Sequence, residues 1–211
     1  MPGVRDWQEW HQEYDQPGSP LHRRLQIVQA LIAEAFDRVP PGPIRAVSLC
    51  AGQGRDLLGV LADHPRRGDV TARLVELDPR NAEAARAAAL DAGLAAVEVV
   101  TGDAGSSDAY VGAVPADLVV ACGIFGNVSD DDIAGTIAAL PQLCAPSATV
   151  LWTRHRHPPD ATPAIRDRFA TAGFTELAFV APPDTHFSVG AHQLTAPPQA
   201  LVPGTRYFEF L

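Results

Sequence analysis

Ala46-Val47-Ser48-Leu49-Cys50-Ala51-Gly52-Gln53-Gly54-Arg55-Asp56-Leu57-Leu58 reads as a short apolar strand, a glycine turn and the opening of a helix. A second strand follows, Ala72-Arg73-Leu74-Val75-Glu76-Leu77-Asp78-Pro79, and it closes on acids. A strand, a glycine turn and an acid at the end of the next strand is how doubly wound α/β folds hold a nucleoside-type ligand by backbone. The rest of the chain can be placed around that pair.

Upstream, Trp7, Trp10, His11 and Tyr14 fall on one face of a short helix spanning about residues 4–14. Ser19-Pro20 supplies an N-cap and a helix-compatible first residue for a longer helix striped by Leu21, Leu25, Val28, Leu31, Ile32 and Phe36. Pro40-Pro41-Gly42-Pro43 ends it, so residues 1–42 form a helical N-terminal extension. Downstream of the second strand, Pro79 opens an alanine-rich helix that stops at Ala92-Gly93. Strands are expected at 97–100, 117–122 and 148–154. Helices are expected from the Ser129 cap to about 140 and from Thr162-Pro163 to Ala172-Gly173. The closing strand candidates, 174–181, 186–194 and 206–211, follow one another without a helix, which implies antiparallel pairing at that end. Strand alternating with helix predicts a mostly parallel sheet covered on both faces, a three-layer α/β fold in a single domain over residues 1–211.

Composition narrows the chemistry. The formal charge of −9 disfavours an extended nucleic-acid contact, which needs clustered cations. No apolar run is long enough to span a bilayer, and the first residues lack the apolar core of a signal peptide. Cys50, Cys122 and Cys144 are unpaired in spacing, which argues against a disulfide framework or a metal cluster and points to a reducing cytoplasm. All sixteen basic residues are arginines. That excludes chemistry that needs a lysine amine, such as a Schiff base or the P-loop phosphate contact. The bias towards Arg, Ala, Pro and Gly is that of a GC-rich bacterial genome. Nothing in the sequence speaks to oligomeric state.

A dinucleotide site wants a third glycine in G-x-G-x-x-G, and here Leu57 stands at that position. The ordered set Leu49–Asp56, Val75-Glu76-Leu77-Asp78-Pro79, Gly102-Asp103-Ala104 and Asp117–Cys122 resembles the class I S-adenosylmethionine-dependent methyltransferases, from about residue 45 to 155. The resemblance implies a Rossmann-like seven-stranded sheet with an antiparallel end, and S-adenosylmethionine as cofactor. It places Ala51, Gly52, Gly54, Arg55 and Asp56 beside the methionine part of the cofactor. Glu76 is then the ribose acid and Asp78 the cap of the next helix. Leu77 lies against the adenine, Asp103 and Ala104 by its amino group, and Cys122 and Gly123 along the wall.

The implied reaction is methyl transfer to a small-molecule acceptor through oxygen or nitrogen. An NAD(P)-binding oxidoreductase and a silent cofactor-binding protein are the competing readings. On the acceptor side, Phe125 and Asn127 are either pocket residues or turn formers between glycines. The run Arg154-His155-Arg156-His157 either binds an acidic substrate or forms a solvated loop. His155 is the first choice for a proton acceptor, with His157 its rival, and Arg154 is a substrate contact. Trp10 and Tyr14 either pin the extension to the core or close the pocket as a lid. His186 and His192 lack a third partner for a metal.

Overall fold

The computed structural model describes Tyr14 and residues 16–211. The Trp10 face of the expected first helix lies outside the described residues. From Pro20 the order is α1 (Pro20–Arg38), β1 (Ile44–Leu49), α2 (Arg55–Leu61), β2 (Val70–Glu76), α3 (Pro79–Asp91) and β3 (Val97–Thr101). Then come β4 (Ala116–Ala121), α4 (Asp130–Ala139), β5 (Cys144–His155), α5 (Thr162–Thr171), β6 (Phe174–Val180) and β7 (Phe187–Leu194). The seven strands form one sheet in the order β3-β2-β1-β4-β5-β7-β6. β1 pairs in parallel with β2 and β4, and the parallel set runs from β3 to β5. β7 is antiparallel to both β5 and β6.

Local chemistry explains most of these boundaries. Ser19 Oγ accepts from His22 N (3.1 Å), and Pro20 supplies the first turn of α1. Asp78 caps α3 by accepting from Arg80 N (2.9 Å), and Ser129 caps α4 by accepting from Asp132 N (3.0 Å). The central strands, such as Leu118-Val119-Val120-Ala121, read as unbroken apolar runs because helices cover both sheet faces. One face buries Val28, Ile32 and Phe36 of α1 with Leu57, Leu61 and Ala85 against Leu74 and Leu118. The other buries α4 and α5 through Ile133, Ile137, Ile165 and Phe169 over Val119, Val150 and Trp152.

Two expectations are corrected. Thr162 is not the cap of α5 but its first residue, because Asp160 Oδ1 accepts from both its N–H (2.9 Å) and its hydroxyl (2.8 Å). Residues 206–211 do not form a strand of the sheet. They make one isolated bridge, Ser106 to Arg206, and bury Tyr207 and Phe208 beside α4, where Thr136 Oγ1 donates to Tyr207 O (2.9 Å). Tyr207 and Phe208 are neighbours in sequence and both buried, which is not the one-face alternation of an edge strand.

Candidate active site

The glycine turn after β1 is held mainly from inside the protein. Ala51 N donates to Val75 O (2.9 Å), and Gly54 N donates to Ala51 O (2.8 Å). Gly52 and Gly54 both take positive φ, 56° and 71°, where a side chain is strained. At Gly54 a Cβ would also stand 2.7 Å from Leu58 and 2.8 Å from Leu74. Cys50, just before the turn, is in the left-handed region at φ 50° without being glycine.

Glu76 ties this turn to the next strand. One carboxylate oxygen accepts from Gly52 N (2.8 Å) and the other from Asp78 N (2.9 Å). The acid therefore sets the spacing between two loops before any ligand is considered, and each oxygen keeps a lone pair for a further donor. Asp78 caps α3 and is paired with Arg80 (2.7 Å), and that guanidinium holds its carboxyl below the usual range. Both acids border the cleft at the strand ends, and only Asp78 also caps a helix.

A cleft of about 1560 Å³ opens along the carboxyl ends of the strands. That exceeds the usual span for one small ligand, roughly 300–1000 Å³, so two ligands fit side by side. Ala51, Gly52, Arg55, Asp56, Glu76, Leu77, Asp103, Ala104, Cys122 and Gly123 all line it, as do Tyr14, Asn127, Arg154 and His155. Gly54 lies beneath, shaping the turn.

Leu77 is 64% exposed, an apolar side chain standing in the open cleft. Asp103 Oδ1 accepts from Gly105 N (2.8 Å), and its other oxygen is paired with Arg206. Asp56 accepts from Leu57 N (2.7 Å), and burial raises its pKa. Burial also pushes the Cys50 and Cys122 thiols up, so both serve as inert walls.

Phe125 is the clear correction. Its side chain is fully buried between Trp152 (ring centroids 6.0 Å) and Phe169 (6.5 Å), so it is a core residue and not a pocket wall. Only its carbonyl serves the site, accepting from Arg154. Asn127 fills both expected roles: its side chain donates to Gly123 O (2.7 Å) to close the turn, and it borders the cleft.

The far end of the cleft is made by distant segments. β5 runs through His155, so Arg154 and His155 belong to the strand and not to a loop. The His155 ring meets His157 (5.2 Å), which meets His186 from the loop before β7 (4.4 Å). His155 has its pKa lowered by burial, then by Arg154 and His157. Its Nδ1 is shut from solvent without a partner among the described residues, as is Arg154 Nε.

Arg156 does not face the cleft. It donates to Pro182 O (2.7 Å), Thr185 O (2.8 Å) and Phe187 O (3.4 Å), stapling the loop that carries His186. Arg23 holds the same loop through Asp184 (2.6 Å). Tyr14 comes in from the opposite side, its hydroxyl bonded to Arg24 (2.6 Å) and its ring 5.7 Å from the Arg55 guanidinium. Arg24, His186 and Phe210, which all line the cleft, have no motif in the sequence that marks them. Only the late aromatic run Tyr207-Phe208-Glu209-Phe210 hints at one of them. Among the described residues no group of three or more His, Cys, Asp or Glu is arranged to hold a metal ion, and no helix is long and apolar enough to cross a membrane.

A glycine turn, an acid two loops away and a cleft at the strand ends are the arrangement by which Rossmann-like folds hold a nucleoside-type ligand. A family model described as "Putative methyltransferase" matches residues 20–164, well over half of the chain. The chain belongs to that methyltransferase family.

No curated protein matches the sequence. Among solved structures, an O-methyltransferase family protein from Burkholderia thailandensis is 19% identical with a TM-score of 0.65, over 83% of this chain and 56% of that one. Magnesium protoporphyrin IX methyltransferase (ChlM) from Synechocystis PCC 6803 with bound SAM is 10% identical at TM-score 0.67, over 89% and 90%. The 1,6-didemethyltoxoflavin-N1-methyltransferase of Burkholderia thailandensis is 15% identical at TM-score 0.61, over 93% of each chain. These likenesses give the fold, and the chain spans little more than half of the first protein.

Proposed function

We propose that the protein, acting as one domain over residues 1–211, methylates a hydroxyl or amine of a small-molecule acceptor that carries an acidic group. The observation that supports this reading is the shared cleft. Glu76, Leu77 and Asp103 border one end, and Arg154, His155, His157 and His186 border the other.

The cofactor end suits an adenosine: Glu76 accepts from ribose hydroxyls, Asp103 from the adenine amino group, and exposed Leu77 offers an apolar face. Arg24 and Arg55 line the cleft near Tyr14 and suit the methionine carboxylate. When bound, S-adenosylmethionine supplies a methyl group on a sulfonium, already electrophilic. The chain's own part is then alignment, exclusion of water and custody of one proton. His155 would take the proton that an acceptor hydroxyl or amine gives up on methylation. His155 is suited to take it, because its depressed pKa keeps the imidazole neutral. Arg154, whose guanidinium borders the cleft, suits an acidic group on the acceptor. The related proteins name acceptors on oxygen and on N1, so the fold alone does not choose the atom.

The test is methyl-labelled cofactor with a panel of hydroxy acids, phenolic acids, amino acids and their uncharged analogues. Label should pass to acid-bearing compounds and much less to their esters or amides. Transfer that ignores the acid would overturn the acidic-acceptor reading.

A further inference from the structure

The last residues of the chain lie across the site that the strands build. Tyr207 N donates to Gly105 O (2.7 Å) and Leu211 N to Asn127 O (3.0 Å), so the segment runs from the loop after β3 to the turn after β4. Buried Tyr207 and Phe208 anchor it. The approach is close: a Cβ on Gly105 would stand 2.4 Å from Phe208 O, backbone that cannot swing aside. Arg206 reaches Asp103 from this segment and also holds Glu209 (3.2 Å). Phe210 and Leu211 enter the cleft, and Phe210 stays 46% exposed although it ends an anchored segment. Leu77, at the end of β2, and Leu211 are further large apolar side chains standing open in that cleft. β1 lies between the strands that carry these two walls.

We infer that Arg206–Leu211 is part of the cofactor site: Arg206 positions the Asp103 carboxylate for the adenine amino group, and Phe210 forms the apolar wall across from Leu77. The inference rests on S-adenosylmethionine being the cofactor. A flat, amphipathic ring is the occupant such a site suits: apolar faces meet Leu77 and Phe210, and an edge donor meets the acid. Arg206 is a positioning residue, since it acts through Asp103. Its pairing fixes one carboxylate oxygen while Gly105 N fixes the other, so the acid presents its remaining lone pairs in one direction.

The experiment is calorimetric titration of the full chain with S-adenosylhomocysteine and with S-inosylhomocysteine, whose base carries a carbonyl where adenine has the amino group. Wild type should prefer the adenosyl form. Arg206→Gln should cut that preference about fivefold, and Phe210→Ala should weaken both ligands about fivefold without changing the preference. Adding Arg206→Gln to Asp103→Asn should change nothing further. Wild-type binding with an unchanged preference in Arg206→Gln, or unchanged affinity in Phe210→Ala, would overturn this inference alone. Failure of the wild type to bind S-adenosylhomocysteine would overturn the cofactor reading as well. Both side chains are about half exposed, and unliganded melting of each variant checks that the fold is kept.

Discussion

The two ends of the cleft are built by different means. At the cofactor end, β1, β2 and β3 stop in register and their loops are tied to one another. Glu76 joins the glycine turn to the start of α3, and Gly102 N donates to Glu76 O (2.9 Å). At the proposed acceptor end the walls are side chains brought from separate segments: Arg154, His155, His157 and His186. That end depends on arginines that staple loops, with Arg156 on three carbonyls and Arg23 on Asp184. Backbone geometry that recognises one fixed ligand leaves little room to vary. A wall of side chains on stapled loops can be rebuilt for another acceptor without disturbing the sheet.

If the two ends are separable, changes at one should leave the other intact. The largest effect is expected at His155. Replacing it with Gln should lower methyl transfer to the acceptor found in the labelled panel by about 10²–10³-fold, with S-adenosylhomocysteine affinity unchanged. A parallel loss of affinity in calorimetry would break the separation.

Acid should undo the scaffold beneath the acceptor end first. Trp152 Nε1 donates to His192 Nδ1 (3.1 Å), which requires that nitrogen to be unprotonated, and burial holds the His192 pKa down to about 4. Glu176 faces the ring's other nitrogen at 3.6 Å and opposes that shift. Between the ordinary value near 6.5 and about 4, the unfolded chain binds the proton and the folded chain does not. This contribution is therefore full above pH 6.5 and lost as pH falls towards 4, by roughly 3 kcal/mol. Urea midpoints at pH 7 and pH 4.5 should lie closer together for His192→Gln than for wild type.

The smallest change tests a staple. Arg156→Ala frees three carbonyls and loosens the loop that carries His186, so KM for the acceptor should rise about tenfold with cofactor affinity unchanged. Steady-state kinetics in both substrates reads the split.

The same contrast explains what the sequence made legible. The cofactor end is encoded locally: Gly52, Glu76 and Asp78 sit at fixed offsets from strand ends, and Pro79 marks which acid is the cap. The acceptor end is encoded by topology. His186 meets His157 only because β7 turns back antiparallel on β5, pairing His155 with Phe187. Arg206 meets Asp103 across about half of the chain's length, and neither residue hints at the other. Phe125 misleads because glycines on either side look like a loop, yet the turn after β4 drops its ring beneath Trp152. The last segment looks like a strand by its aromatic content, yet it buries two neighbouring residues, Tyr207 and Phe208, and leaves Phe210 open.

The central claim is that Glu76 joins the glycine turn to the next loop and thereby makes the cofactor end. Calorimetry with S-adenosylhomocysteine on wild type, Glu76→Ala and Asp78→Ala tests it most directly. The account predicts roughly ten- to a hundredfold weaker binding for Glu76→Ala and near-wild-type binding for Asp78→Ala. Unchanged affinity in Glu76→Ala, with the loss appearing in Asp78→Ala, would contradict it.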